Sequence, residues 1–174
     1  MAISGGITMT NQATTSVLVR NANEGPAVWA VGSLFQQLAS KDDTGGPFGL
    51  TLVTQRHGSA SPRHVHTREA EAFYLLDGTL TYQAADETYK LGPDSFIYLP
   101  SGVPHSFRVT SSTAKFLVIN APGGLIDIYD EVGRPAGERQ LPPPDAEQMN
   151  ADVARWLAAA PRYGIDVVGP PLSG

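Results

Sequence analysis

Apolar and polar residues alternate in short runs along the first two thirds of the chain, the pattern expected of strands in an all-β protein. Turn-forming residues separate the runs. Residues 33–39 also fit a helical period, but the run is short and turn-rich residues follow it, so we predict a strand. A further strand is expected between turns at 85–88 and 91–94. The other candidate strands cover residues 16–20, 27–31, 48–56, 73–76, 79–83, 95–99, 105–109 and 115–120.

One dipeptide within this region gives a specific turn signal. Asp77 and Gly78 lie between two apolar runs, and glycine accepts the positive φ that a tight hairpin turn requires. We therefore predict a hairpin formed by the strands on either side. Together, the many short strands and regular turns predict a sandwich or barrel with no internal repeat.

The pattern becomes helical after Gly124. Apolar spacing predicts one or two helical turns over residues 125–132, and Asp145 is the candidate N-cap of a longer helix, with Gln148 completing a capping box. We expect this helix to pack on the outside of the barrel, in preference to binding a partner, through Met149, Val153, Trp156, Leu157 and Ala160. Pro161 should end the helix, and the tail from Gly169 should be loose. The predicted organisation is a flexible N-terminus (1–15), a barrel (16–122), and C-terminal helices and tail packed on it (123–174).

Composition narrows the possible partners. The 174 residues include 12 basic and 17 acidic side chains, a net charge of −5 with no basic cluster, which argues against nucleic acid as the main partner. No apolar run reaches the length of a membrane span, and the first residues lack the pattern of a signal peptide. The absence of cysteine excludes disulfides, so a cytoplasmic location is expected.

Three of the four histidines lie in two short segments, together with a carboxylate. His64 and His66 are two residues apart, so on a strand their side chains share one face. Glu71 is at an odd offset from His66 and must follow a turn, while His105 opens another apolar run after a Pro-Ser-Gly-Val-Pro turn. Imidazoles and a carboxylate are ligands that divalent transition metals favour. His57 lacks this context and is expected at the surface.

The spacing of these residues resembles the two sequence motifs of the cupin superfamily. The first motif is complete in Gly58, His64, His66, Glu71 and Gly78, and the segment 100–105 resembles the core of the second. Asp94 stands where the family usually has glycine, and Val109 replaces a frequent asparagine. The resemblance implies a cupin double-stranded β-helix, or jelly-roll barrel, with a short C-terminal helical appendage. It also implies a metal bound by His64, His66, Glu71 and His105.

Strand alternation predicts the walls around such a metal. If Glu71 and His105 point inward, then Phe73, Leu75 and Phe107 point inward too and are candidate substrate contacts. Further wall candidates are Leu50, Leu52 and Tyr98. Glu69 is a rival ligand to Glu71 but is expected to be solvated. The sequence leaves two positions open for Arg68, one beside the site and one on the surface.

Within the superfamily, the chain resembles the quercetin-dioxygenase-like group. That resemblance implies one divalent transition metal per chain (iron, nickel, manganese, cobalt or zinc), dioxygen as co-substrate, and a flavonol-like or other enolic aromatic substrate. Glu71 would be both ligand and proton acceptor. The alternatives are a metal-dependent isomerase, cyclase or lyase, and a non-catalytic module that binds a small apolar molecule. A homodimer is expected because open sheet edges gain from pairing.

Overall fold

The computed structural model describes residues 17–173. Its helices are Lys41–Thr44 (α1), Asp127–Val132 (α2) and Ala146–Ala159 (α3), and a 3-10 helix, Ala160–Tyr163, follows α3. Its strands are Ala27–Ala30 (β1), Ser33–Ala39 (β2), Gly49–Arg56 (β3), Pro62–His66 (β4), Ala70–Asp77 (β5), Leu80–Ala84 (β6), Glu87–Leu91 (β7), Phe96–Leu99 (β8), His105–Val109 (β9), Thr113–Ala121 (β10), Arg134–Pro135 (β11) and Ile165–Pro171 (β12).

The strands form two antiparallel sheets that enclose the core. One sheet has seven strands in the order β11-β1-β2-β3-β10-β5-β8, and the other has five in the order β12-β4-β9-β6-β7. Buried side chains from both sheets, among them Phe73, Leu75, Tyr82 and Phe116, form one apolar core. This architecture confirms the predicted all-β jelly roll with a short C-terminal helix. No helix among the described residues has the length and apolar character of a membrane span.

Most strand predictions within 27–121 are confirmed to within a few residues, and those over 33–39 and 105–109 agree at both ends. The strand predicted over 16–20 is wrong for its described part, because residues 17–20 have no regular secondary structure. Ser16 and the predicted flexible segment 1–15 lie outside the described residues.

The hairpin predicted at Asp77-Gly78 is wrong. Strand β5, before the turn, pairs with β10 and β8, whereas β6, after it, pairs with β7 and β9 in the other sheet. Gly78 does have the expected positive φ of 85°. A Cβ atom there would lie 2.3 Å from the carbonyl oxygen of Thr113, so glycine is needed for a crossing between sheets that passes close to β10.

The segment from Gly169 was predicted to be loose, but residues 169–171 belong to strand β12. Strand β12 pairs with β4 and places Val167 opposite His64 and Ile165 opposite His66. It therefore supports the strand that carries the first two histidines. Strand β12 ends in two prolines. They fit because β12 is an edge strand, where half of the backbone N–H groups need no partner.

Helix α3 begins as predicted but packs differently. The Asp145 carboxylate accepts a hydrogen bond from the backbone N–H of Gln148, whereas the Gln148 side chain donates to Asp152 and does not complete a capping box. Within the predicted apolar stripe, Trp156 and Ala160 are buried, but three members remain exposed: Met149, Val153 and Leu157. The helix thus packs on the barrel through only part of its apolar face.

Asp94 adopts a left-handed backbone conformation with a φ of 65° at the position where cupins usually have glycine. Aspartate tolerates this region better than most residues because its short side chain can make local hydrogen bonds. The turn before β8 is therefore retained despite the substitution.

Asp152 connects α3 to the turn between β1 and β2. Its buried carboxylate accepts hydrogen bonds from the backbone N–H of Val31, at 2.9 Å, and from Gln148 Nε2, at 2.7 Å. Val31 itself has an unfavourable positive φ of 45°. This carboxylate therefore stabilises both the turn and the position of the helix.

We expect Asp152→Ala to lower the free energy of unfolding by about 2–3 kcal/mol, because it leaves the Val31 N–H without its acceptor. Asp152→Asn is the matched control and should lose less, since its amide oxygen can still accept that bond. Urea unfolding followed by circular dichroism measures both values. Equal losses in the two variants would contradict this role.

Candidate metal centre

Three histidines come together on the five-stranded sheet. His64 and His66 project from the same face of β4, and His105 on β9 lies directly opposite His64 in the antiparallel register. Side chains that face each other across neighbouring strands lie close together. The turn expected after His66 leads the chain to β5 in the other sheet, where Glu71 points back at the histidines. All four side chains are buried, and their ligand atoms lie within 4.8 Å of one another.

Backbone carbonyls fix the orientation of two imidazoles. His64 Nδ1 lies 2.7 Å from the carbonyl oxygen of Pro62, and His105 Nδ1 lies 2.9 Å from that of Val103. Because a carbonyl only accepts, each Nδ1 carries the hydrogen and donates it. The Nε2 atoms of both rings therefore keep their lone pairs, as metal ligands require.

The charges within the cluster suit a cation. Burial would raise the pKa of the Glu71 carboxyl, but His66 and His105 beside it lower that pKa to about 2, so the group is an anion near neutral pH. Burial lowers the pKa of His64 to about 4 and also lowers the pKa of His66, which keeps both imidazoles neutral. Burial opposes protonation of His105 as well, but Glu71 raises the pKa of His105 above its ordinary value.

An unsatisfied nitrogen indicates how a cation would fit. His105 Nε2 is buried 3.3 Å from Glu71 Oε2, yet no described residue forms a hydrogen bond with it. Leaving such an atom without a partner costs about 1–3 kcal/mol. A metal ion shared by the three imidazoles and the carboxylate would remove this cost. The donor set of nitrogen and oxygen atoms also matches the preference of divalent transition metals, so these four residues could hold one.

Asn120 orients the carboxylate and was missed by the sequence analysis. It lies opposite Glu71 in the register of β10 with β5, and its Nδ2 donates a 3.1 Å hydrogen bond to Glu71 Oε1. A polar residue directly after the apolar run 116–119 was the only available signal. The bond holds one carboxylate oxygen and leaves Oε2 facing the histidines.

A small, mostly apolar cavity of about 60 Å³ is lined by three of the four candidate ligands, His64, His66 and Glu71. The predicted contacts Phe73 and Phe107 line it. Leu75 is buried in the core and does not reach it, and the same holds for Leu52. Leu50 and Tyr98 are also absent from its walls, and Tyr98 is exposed to solvent. The cavity walls not foreseen from the sequence include Gln55, Tyr129, Trp156 and Ile165.

The other polar residues singled out in the sequence lie partly in the interior and partly at the surface. Glu69 was expected to be solvated, but it is buried with one carboxylate oxygen lacking a partner, and it stands apart from the four-residue cluster. Arg68 is exposed and donates to the Arg162 carbonyl. His57 is exposed at the end of β3, as predicted.

Comparison with known proteins agrees with this geometry. Residues 51–120 match the model of the cupin domain family. The chain is 29% identical over 137 residues to quercetin 2,3-dioxygenase from Bacillus subtilis (strain 168), an alignment that covers 78% of this chain and 41% of that protein. This chain therefore spans about two fifths of the length of its curated relative.

Two solved structures share the fold. The polyketide cyclase RemF from Streptomyces resistomycificus is 25% identical, with a TM-score of 0.52 over 60% of this chain and 80% of its own. Oxalate decarboxylase from Bacillus subtilis is 20% identical, with a TM-score of 0.54 over 66% of this chain and 32% of its own, and this likeness shows the fold alone.

The two sheets and the buried cluster between them have the architecture of a cupin barrel, and residues 51–120 match the cupin domain family. Within that superfamily, the chain resembles the quercetin-dioxygenase-like group.

Proposed function

We propose that this protein is a metal-dependent dioxygenase that acts on a flavonol-like or other enolic aromatic molecule. The observation that carries the proposal is the buried cluster of His64, His66, Glu71 and His105 beside an apolar cavity. The similarity to a quercetin 2,3-dioxygenase supports the same reaction class. One divalent transition metal per chain would be bound by these four residues.

When bound, such a metal would supply Lewis acidity, which favours the anionic form of an enolic hydroxyl, and positions open to exogenous ligands. Glu71 is the acceptor for the hydroxyl proton, because it is the one carboxylate in the cluster. Because the pKa of Glu71 is low, its carboxylate would accept the proton only if a bound metal made the enolic hydroxyl a stronger acid. Proton transfer to Glu71 therefore depends on metal binding. Asn120 keeps the accepting oxygen oriented, and the apolar walls keep bulk water away from the resulting anion.

A second candidate is a metal-dependent cyclase, with isomerase and lyase reactions in the same class. The 25% identity to the polyketide cyclase RemF favours it, since the same cluster could act without dioxygen. A binding module without turnover is the third alternative.

Reactions under air and under nitrogen distinguish these candidates. We expect metal-loaded protein to consume a flavonol such as quercetin under air and to stop when dioxygen is removed. Chromatographic assay of the flavonol, with metal-free protein as the control, measures both rates. Equal consumption without dioxygen would support the cyclase class, and the absence of turnover in both would support a binding module.

We also propose that the protein forms a homodimer. Strands β7 and β8 lie at open edges of the two sheets, and they expose the aromatic side chains of Tyr89, Phe96 and Tyr98. Pairing with a second copy would cover such edges.

We expect light scattering at micromolar concentration to give twice the 18.5 kDa mass of one chain. Phe96→Glu should shift the protein towards the monomer if the edge at β8 forms the contact. A wild-type mass of one chain would contradict the dimer.

The organisation into a barrel over 16–122 and a C-terminal part over 123–174 is likewise proposed, with β11 and β12 of the C-terminal part completing the two sheets. A cytoplasmic location, supported by the absence of cysteine, is also proposed.

A further inference from the structure

An apolar groove of about 350 Å³ lies beside the metal cavity, between α3, β12 and the start of β4. Much of it is built by residues outside the 51–120 segment that matches the cupin family. Val153 and Leu157 on α3 and Val167 on β12 expose 40%, 45% and 42% of their surface along it. Exposed apolar residues grouped in one concave surface are characteristic of ligand sites.

The groove adjoins the metal cavity. The same side chains line both spaces: Gln55, Ser61, Phe107, Tyr129 and Trp156. Trp156 is almost fully buried between them, with its indole ring edge-on to His64 at a centroid distance of 6.1 Å. A molecule in the groove would thus be separated from the metal ligands by only one layer of side chains.

The volumes of the two spaces show why an aromatic ligand would need both the inner cavity and the groove. The inner cavity, about 60 Å³, is well below the ~150 Å³ that accommodates a single benzene ring in an engineered protein cavity. It has room for a few small atoms around the ligands but not for an aromatic ring system. The groove, in contrast, falls within the ~300–1,000 Å³ typical of sites for organic ligands.

Gln55 supplies a polar group where the two spaces meet. It is more than nine-tenths buried, and its Oε1 has no hydrogen-bond partner among residues 17–173. A buried amide oxygen without a donor is unfavourable, and a ligand hydroxyl would satisfy it. A molecule that carries a hydrogen-bond donor would therefore be favoured at this position.

We propose that this groove is the outer half of the substrate site. It holds the aromatic rings of the substrate, while only the reacting oxygens pass Trp156 into the inner cavity. Gln55 Oε1 accepts a hydrogen bond from a hydroxyl on those rings. This proposal rests on the proposed function for the aromatic, enolic class of substrate, and it assigns recognition of the rings to α3 and β12.

The test is a binding titration that does not depend on turnover. Because the chain has two tryptophans, a Trp29→Phe background leaves Trp156 as the only tryptophan reporter. Trp29 lies outside the groove, so the change does not alter the site. Metal-loaded protein is titrated under nitrogen with quercetin and with 3-hydroxyflavone, which has the same ring skeleton and a single hydroxyl. Quenching of Trp156 fluorescence gives the dissociation constants.

Charged substitutions in the groove should weaken binding of both compounds. We expect Val153→Arg and Leu157→Arg to raise the dissociation constants by about tenfold or more, because each places a charge on the apolar wall that contacts the rings. Met149→Arg is the matched control, since Met149 is on the same helix and is 45% exposed but does not line the groove. It should change binding by less than about twofold. Equal affinities in wild type and both groove variants would overturn the proposal.

Gln55→Leu separates hydrogen bonding from packing. It should weaken quercetin about tenfold and leave 3-hydroxyflavone nearly unchanged, because only quercetin has hydroxyls to spare for the amide oxygen. Equal weakening of both compounds would contradict the role of Gln55, and no binding of either compound to the wild-type protein would overturn the groove as a flavonol site. If the groove variants lose binding but oxygen is never consumed, the groove stands and the dioxygenase reaction fails.

Discussion

Replacing His105 with alanine will lower the affinity for a divalent transition metal by at least about 100-fold, more than the 10–100-fold typical of changes to residues that only support a ligand. His105 is the single ligand contributed by β9, and its Nε2 faces the carboxylate of Glu71 at 3.3 Å. Removing it takes away one of the four donors and also the partner that helps keep Glu71 ionised. His66→Ala should have a similar effect, because it removes a ligand contributed by β4.

Metal analysis after dialysis against a known free metal concentration measures this change. His57→Ala is the control, because His57 is an exposed histidine outside the cluster and should retain wild-type metal content. Circular dichroism establishes that each variant is folded. Unchanged metal content in both His66→Ala and His105→Ala would exclude the assignment of these ligands.

Replacing Glu71 with glutamine will reduce turnover by about 10²–10⁴-fold, the contribution usual for a general base, while substrate binding changes much less. Glutamine has the same shape and keeps an oxygen that can accept the hydrogen bond from Asn120. It cannot take up the proton of an enolic hydroxyl. The loss should therefore appear in kcat and not in the dissociation constant measured under nitrogen.

Turnover of this variant must be expressed per bound metal, because Glu71 is also a proposed ligand. Glu69→Gln is the matched control: Glu69 is a buried carboxyl two residues away that stands outside the cluster. It should leave kcat per metal close to that of the wild type. A Glu71→Gln enzyme with wild-type kcat per metal would exclude Glu71 as the base.

The local part of the site could be predicted from the sequence. The spacing of His64 and His66 and the alternation along β5 and β9 depend only on strand geometry, so the inward positions of Glu71, Phe73 and Phe107 followed directly. The motif spacing then connected the two segments, which periodicity alone could not do.

Features that depend on long-range pairing could not be predicted. The Asp77-Gly78 sequence has the local signal of a hairpin, but the partners of β5 are selected from distant parts of the chain. The segment from Gly169 reads as a loose tail because proline and glycine weaken the local strand signal, yet β12 pairs with β4. Trp156 belongs to a helical stripe in sequence, and only the way α3 crosses the barrel places it beside His64.

The burial of isolated polar residues could not be predicted from the sequence either. Glu69 follows a charged residue and looks solvated in sequence, but the turn between the two sheets buries it. Gln55 is one of four polar residues in β3, and nothing local indicates that its amide oxygen lacks a partner. The resulting position of each side chain is a property of the packed barrel and not of its own segment.

Oxygen uptake is the most direct test of the proposed function. Wild-type protein would be loaded separately with iron, nickel, cobalt or manganese and given quercetin in an oxygen electrode, beside metal-free protein and the His66→Ala variant. At least one metal-loaded form should consume oxygen in proportion to the flavonol lost, and neither control should do so. If no metal-loaded form consumes oxygen above the metal-free control, the dioxygenase assignment is wrong.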